Sequence, residues 1–411
     1  MSEVTVIGAG IVGVMCALNL QEEGLEVTIV DYSLPGEGCS KGNAGVLGAG
    51  TCIPVSMPGT LKQIPKWIFD KNGPLKIELF YFFLMLPWLW EFIKSGRKER
   101  VLDIANALDA LHSPTVKEYT EWCNKAGCSE LVKQNGYLHV YESESSFSST
   151  KFSNEIRDKH GIEFERVVGS KIYDIECDFS DIYTHALFIK NDGYTPNPSR
   201  LVKKLAKLFE KRGGKFIYQK VINIEYKDEK PKALLFNGGK HYFEKLVVSA
   251  GIGSKYILKM LIEKTFLVSE RGYHVTINEP NVNISRPIFS VDRKFLATPM
   301  EDGLRLAGTA EYASIDRPPN YNRAKALLIQ GKRMFPKLNT REYVEWMGHR
   351  PATPDSLPVI CKSEKYDSII YAFGHGHTGM AGAPMTGKIV ADLVLNKEPQ
   401  IDIYPYRLNR C

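Results

Sequence analysis

The 411-residue chain lacks any uninterrupted apolar run long enough to span a membrane, for which about 20 clean apolar residues are wanted. The nearest approach, Ile77–Ile93, is broken by Glu78, Pro87 and Glu91. Buried helices or a subunit contact are expected there, with an aromatic patch resting on a membrane surface as the functional alternative. Val4–Leu20 is apolar, yet no basic region precedes it and no small-residue cleavage site ends it, so a secretory leader is not expected. The eight cysteines contain no Cys-x-x-Cys pair and no Cys/His grouping with zinc-finger spacing. Reduced thiols in a cytoplasmic chain, and no metal, are the expectation. The formal charge of +6 is spread thinly, with no dense basic and aromatic footprint, so no nucleic-acid partner is expected. There are no internal repeats and no low-complexity tracts.

What the chain does contain is alternation of strands and helices. Val4–Ile7 reads as a strand, Ile11, Val14, Met15 and Leu18 as one face of a helix ending at Gly24, and Val27–Val30 as a strand buried on both sides. Residues 36–59 are too rich in Gly, Ser, Asn and Pro, and too many, for an idle connection. Helices are predicted within 103–125 and a strand over 137–141. The clearest helix is 198–212, capped by Asn197 and opened by Pro198. A strand over 216–226 follows, then one over 245–249. Strands dominate 266–310, a helix covers 321–335, a strand 368–373, and a helix 384–395. Length and this pattern predict two or three domains.

Gly8, Gly10 and Gly13 form a G-x-G-x-x-G between the first strand and helix, and Asp31 ends the second strand. Gly8 permits the tight turn, Gly10 admits a pyrophosphate close to the backbone, and Gly13 lets helix and strand pack. Ile11 and Val12 open the helix whose N-terminus attracts phosphate. Asp31 can accept from ribose hydroxyls. The fingerprint alone does not separate FAD from NAD.

The segment Cys39-Ser-Lys-Gly-Asn-Ala-Gly45 resembles the Ser-x-x-Asn-Ala-Gly stretch of the D-amino acid oxidase superfamily of flavoproteins. Glu270–His274, Pro299–Gly303, Gly348–Asp355 and Gly374–Gly379 carry the resemblance along nearly the whole chain, and within the superfamily it is nearest to bacterial D-amino acid and D-hydroxyproline dehydrogenases. The resemblance implies an α/β fold: a Rossmann-like FAD-binding domain with an interleaved substrate domain on a mainly antiparallel mixed sheet. The implied segments are 1–75, 165–258 and 345–411 for FAD, and 76–164 and 259–344 for substrate. Ser40, Asn43, Ala44 and Gly45 would lie along the pyrophosphate and ribityl chain, Val221 at adenine, and Ala250-Gly251 near the phosphates. Gly376, Thr378, Gly379 and Met380 would present backbone donors to the flavin's pyrimidine edge, where charge develops on reduction.

Arg350 matches the carboxylate-binding arginine of relatives such as glycine oxidase, the alternative being a structural pairing with a carboxylate such as Asp355. Arg271, Tyr273 and His274 are each substrate-binding or core residues, Arg271 and Tyr273 sharing one strand face. His375 and His377 are catalytic candidates in the flavin turn. Gly348 stands where sarcosine oxidases carry their flavin-linked cysteine, which implies non-covalent FAD. Thr378 stands where they carry an oxygen-activating lysine, which implies a dehydrogenase passing electrons to a quinone or partner protein. The expected reaction moves a hydride from the α-carbon of a small amino acid to flavin N5, leaving an imino acid. The rivals are an oxygen-using oxidase, an electron-relay subunit of a hetero-oligomer, an NAD-dependent enzyme and a non-catalytic sensor.

Overall fold

The computed structural model describes residues 3–60, 64, 67, 68, 70 and 73–411. The other positions of the expected segment 1–75 lie outside the described residues. The chain builds two large sheets. The first has six strands in the order Val359–Lys362, Ile369–Phe373, Lys245–Val248, Glu3–Ile7, Glu26–Asp31 and Lys215–Tyr218. Neighbours are parallel except at the Val359–Lys362 edge. The centres of its inner strands are buried on both faces, mostly by apolar side chains, because both faces are covered. Val4, Val6, Ile29 and Val247 pack under helices, whereas Ile7, Val30, Leu246 and Val248 pack with Ile224, Leu234 and Phe236 of a small antiparallel sheet.

Helices Ile11–Glu22 and Gly379–Val394 lie together on this sheet. Gly387 allows it, since a Cβ there would sit 2.6 Å from the Met15 carbonyl oxygen. The C-terminal helix begins at Gly379 and runs through Pro384, where the sequence places its start. A proline lacks the N–H that would bond the Met380 carbonyl. The buried Tyr119 hydroxyl donates to that oxygen instead, at 2.8 Å. The expected strand over 216–226 is two strands, Lys215–Tyr218 and Asn223–Lys227, in different sheets. Helix Pro198–Lys211 forms as read, and Asn197 Oδ1 accepts the Arg200 N–H at 2.9 Å.

The second sheet is mixed and mainly antiparallel. Its order is Tyr343–Ala352, Val268–Ile277, Gly303–Tyr312, Phe295–Met300, Ile288–Ser290, Tyr137–Tyr141, His185–Ile189 and Phe164–Val168, with Leu75–Ile77 beside Gly303–Tyr312. Strands Phe164–Val168, His185–Ile189 and Tyr343–Ala352 therefore pair in this sheet, although nearly all their residues fall in the expected FAD segments 165–258 and 345–411. Side-chain alternation marks a strand but carries no sign of which sheet it joins.

Ile77–Ile93 resolves into helices Leu79–Leu84 and Leu86–Ser95. Trp88 and Phe92 are buried, but Leu79, Phe80 and Trp90 are 76%, 70% and 62% exposed. The expectation of buried helices holds for one side of this segment only. Among the described residues, no helix is long and apolar enough to cross a membrane.

Candidate active site

A cleft of about 2440 Å³ is lined by both sheets. At one end is the glycine turn. Gly8 has φ +114°, and a Cβ on it would meet the Ser249 carbonyl oxygen at 2.5 Å. Gly13 is closer still, its Cβ position lying 1.8 Å from the Gly8 oxygen. Gly10 meets only the Ser40 hydroxyl, at 3.4 Å, which leaves space above the helix N-terminus. Ile11 and Val12 line that space. The Ile11 N–H donates to Ser40 Oγ at 3.0 Å. Asp31 accepts from the Ala9 and Ser33 N–H groups at 2.7 and 2.9 Å, so it is fixed at the cleft edge. Ala44, Val221, Ala250 and Gly251 line the same end.

The loop after Cys39 is clamped from the second sheet by residues the sequence reading did not single out for this task. Arg305 donates through Nη1 to the Lys41 and Asn43 carbonyls at 3.2 and 2.7 Å. His274 lies outside the cleft. Its ring stacks on Trp346 with centroids 5.0 Å apart, and its Nδ1 bonds the Gly42 carbonyl at 3.2 Å. Burial pushes His274 down to about 3, so its neutral form donates. Asn43 Oδ1 accepts the Gly45 N–H at 2.7 Å. Gly45 has φ +79°, and its Cβ position is 2.4 Å from the Thr195 oxygen. The signal for Arg305 was a lone polar residue in an apolar strand, LRLAG, which is too common to read alone.

At the other end, Gly374 and Gly376 have φ +85° and +52°. They turn the chain into helix Gly379–Val394, whose Thr378 side chain makes no cap bond. The Thr378 hydroxyl donates back to the His375 carbonyl at 3.1 Å. The first N–H groups of that helix, from Gly379 and Met380, thus have neither an intrahelical partner nor a side-chain cap, and both residues line the cleft.

The substrate candidates separate. Arg350 lies in the cleft, where Nη1 donates to Glu270 Oε1 and to the Thr309 carbonyl, the latter at 3.2 Å. Asp355 is held elsewhere by Arg410, bidentately, at 2.7 and 3.0 Å. His377 opens into the cleft beside this pair. The surrounding protein lowers its pKa, Glu270 opposing and Arg350 adding to the effect. Arg271 is wholly buried away from the cleft. A guanidinium there needs a carboxylate, and Glu311, its register partner, is 3.2 Å away. The Tyr273 ring reaches the cleft, but its hydroxyl donates to the same Glu311. His375 is buried. Because Thr386 donates its own proton to Gly382, His375 Nε2–H donates to Thr386, at 2.9 Å. Its imidazole holds the turn to the helix, and the residue lies in the wall of the cleft.

The chain matches the DAO family model, FAD dependent oxidoreductase, over residues 3–393. It is 34% identical to a D-amino-acid oxidase of Bradyrhizobium diazoefficiens, covering 99% of this chain and 98% of that one. It is 27% identical to D-amino acid dehydrogenase 3 of Mesorhizobium japonicum, covering 97% and 98%. Among solved structures, L-proline dehydrogenase from P. horikoshii superposes with a TM-score of 0.78 at 19% identity, covering 100% and 97%. The chain belongs to the DAO family and is an FAD-dependent oxidoreductase. The site fits that cofactor. The close-packed glycine turn, the open space above Gly10, fixed Asp31 and the uncapped N-terminus at Gly379 are what a dinucleotide and a reducible ring require.

Proposed function

We propose that this enzyme dehydrogenates a small amino acid, of the D-amino acid or D-hydroxyproline type, and passes the electrons to a quinone or protein acceptor. The observation that carries the reading is Arg350, a guanidinium standing in the cleft whose hydrogen bonds to the described residues all leave from Nη1, so that Nε and Nη2 remain to meet a ligand. Those two donors suit a carboxylate bidentately. Glu270 holds Arg350 in place and puts negative charge where the ammonium end of a zwitterion would lie. His377, depressed below its ordinary range, is neutral near pH 7 and accepts the ammonium proton. FAD, when bound, supplies the acceptor for the hydride leaving the α-carbon. The chain's own work is positioning and exclusion of water.

Non-covalent attachment of FAD is supported by Gly348, which stands where sarcosine oxidases carry their flavin-linked cysteine and where a Cβ would lie 2.1 Å from the Trp346 ring. Thr378 brings no positive charge to the flavin turn, and the cation near His377, Arg350, is paired with Glu270. Both favour a dehydrogenase. The Bradyrhizobium relative's name favours the second reading, an oxygen-using oxidase. Turnover of D-alanine or D-hydroxyproline with a quinone analogue under argon, and little peroxide in air, supports the first; stoichiometric peroxide in air supports the second.

The acceptor's route is proposed to be the inner face of the cytoplasmic membrane. Leu79, Phe80, Phe83, Leu84, Leu86 and Trp90 form an exposed apolar face, which in a soluble chain marks a contact surface. Its carboxylates are neutralised, Glu78 by Arg317 and Glu91 by Lys94, while Lys76, Arg97 and Lys98 flank it with no ion pair among the described residues. A basic rim suits anionic lipid headgroups and disfavours self-pairing, which would bring like charges together. Trp88, Leu89 and Phe92, on the inner side of the same helix, line the cleft.

A further inference from the structure

The cleft continues into a lobe walled by strand Tyr137–Tyr141 and helix Lys151–Lys159. Two cations stand on it without carboxylate partners. Arg157 is 5% exposed. Its Nη1 donates to Asn154 at 2.8 Å, its buried Nε has no hydrogen-bond partner, and it makes no ion pair among the described residues. Lys294, on the turn before strand Phe295–Met300, makes no ion pair either. Burying an uncompensated cation is expensive, and folded chains retain one where a ligand completes it.

Two further observations point to the same ligand. His139 lines the lobe with its buried Nε2 unpartnered, between edge-on contacts from Tyr137 and Phe289 at 4.5 and 5.5 Å. Burial keeps that imidazole neutral, with Arg157 and Lys294 adding to the effect, so it can offer an N–H. Nearby carboxylates form no ion pair with either cation among the described residues: Asp292, two residues from Lys294, accepts the Glu142 N–H at 3.0 Å and only partly offsets the effect of burial on Lys294. Asp192 accepts the Gly50 N–H and is pushed up to about 7 by burial, beyond ion-pair reach of Arg157. Glu142 is taken by Arg293 and Arg333.

We infer that this lobe is a second ligand site, which binds a small anion (a carboxylate or a phosphate) on Arg157, Lys294 and His139. Arg157 and His139 define the far end of the lobe, His139 on a strand five steps from strand Tyr343–Ala352; Lys294 stands between, since Thr309, whose carbonyl bonds Arg350, adjoins Gly308, the register partner of Phe295. Binding that persists in Arg350→Met therefore distinguishes the two sites.

The test is calorimetric titration of the FAD-loaded enzyme with benzoate and, separately, with inorganic phosphate. An equivalent that persists in Arg350→Met is expected, weakened about tenfold or more in Arg157→Met and in Lys294→Met. Which probe binds identifies the anion class. Lys294→Met carries the test if Arg157→Met does not fold. Absence of binding to Arg350→Met with both probes, or binding that Lys294→Met leaves unchanged, overturns the inference. Neither result depends on whether an amino acid is the substrate, which flavin reduction reads separately.

Discussion

Arg350 and Glu270 are register partners on adjacent antiparallel strands, and their side chains meet in the cleft as an ion pair. Gly272, two residues further along the Glu270 strand, lies under the guanidinium. A Cβ there would fall 2.4 Å from Arg350 Cζ and Nη2. Gly272→Ala is therefore expected to displace the guanidinium without emptying the flavin site. KM for the amino acid should rise about tenfold or more with a smaller change in kcat, and Arg350→Met should do the same more severely. Steady-state kinetics with an artificial acceptor checks both.

The loop that lies along the cofactor is held by the opposite sheet through Arg305. Arg305→Met removes bonds to two carbonyls, and the loss of one or two such bonds is worth about 1–3 kcal/mol. FAD should dissociate about tenfold or more readily, measured by ultrafiltration of the flavin released on dilution. Secondary structure by circular dichroism should be retained.

Much of this arrangement was legible in the residues. The glycine turn, Asp31, the Asn197-capped helix and the C-terminal turn could be read because each depends on local geometry that few residue types satisfy. Arg350 and His377 were legible through the motifs around them. For Arg271 and His375 the sequence left a binding and a core role open, since a sequence does not say which cation or imidazole folding will bury; both are buried. Glu311 and Thr386, which claim them, are distant or unremarked in the chain. Pro384 misled for a related reason: its helix continues only because Tyr119, more than two hundred residues away, satisfies the carbonyl that proline leaves free.

That last relationship gives a stability prediction. Tyr119→Phe leaves the buried Met380 carbonyl unpartnered and should cost about 1–3 kcal/mol. Chemical denaturation of the holoenzyme measures it. The loss should greatly exceed that of a control such as Tyr404→Phe at an exposed site.

His112, His274 and His375 are each pushed by burial from 6.5 down to about 3. Between those values the unfolded chain binds protons that the folded chain does not. Their contribution to stability is full above about pH 6.5 and is lost as pH falls toward 3. His375→Gln should flatten the acid side of the stability profile by up to about 1.4 kcal/mol per pH unit, seen in denaturation curves across that range. His377 is also depressed. The acid limb of kcat/KM should lie below pH 6.5, and His377→Gln should abolish it.

The exposed helices should bind lipid. FAD-loaded enzyme is expected to sediment with vesicles containing phosphatidylglycerol, less with neutral vesicles, and far less after Phe80→Ser with Trp90→Ser. Sedimentation equal for both vesicle types, or unaltered by the substitutions, would assign the patch to a protein partner instead.

The central claim is amino acid oxidation at the Arg350 end of the cleft. Its most direct test is the visible flavin absorbance of the holoenzyme, followed without oxygen as D-amino acids, D-hydroxyproline, L-proline and sarcosine are added singly. Rapid bleaching by one class, lost in Arg350→Met, is the predicted result. Bound flavin that none of them reduces, or bleaching that Arg350→Met leaves intact, would contradict it.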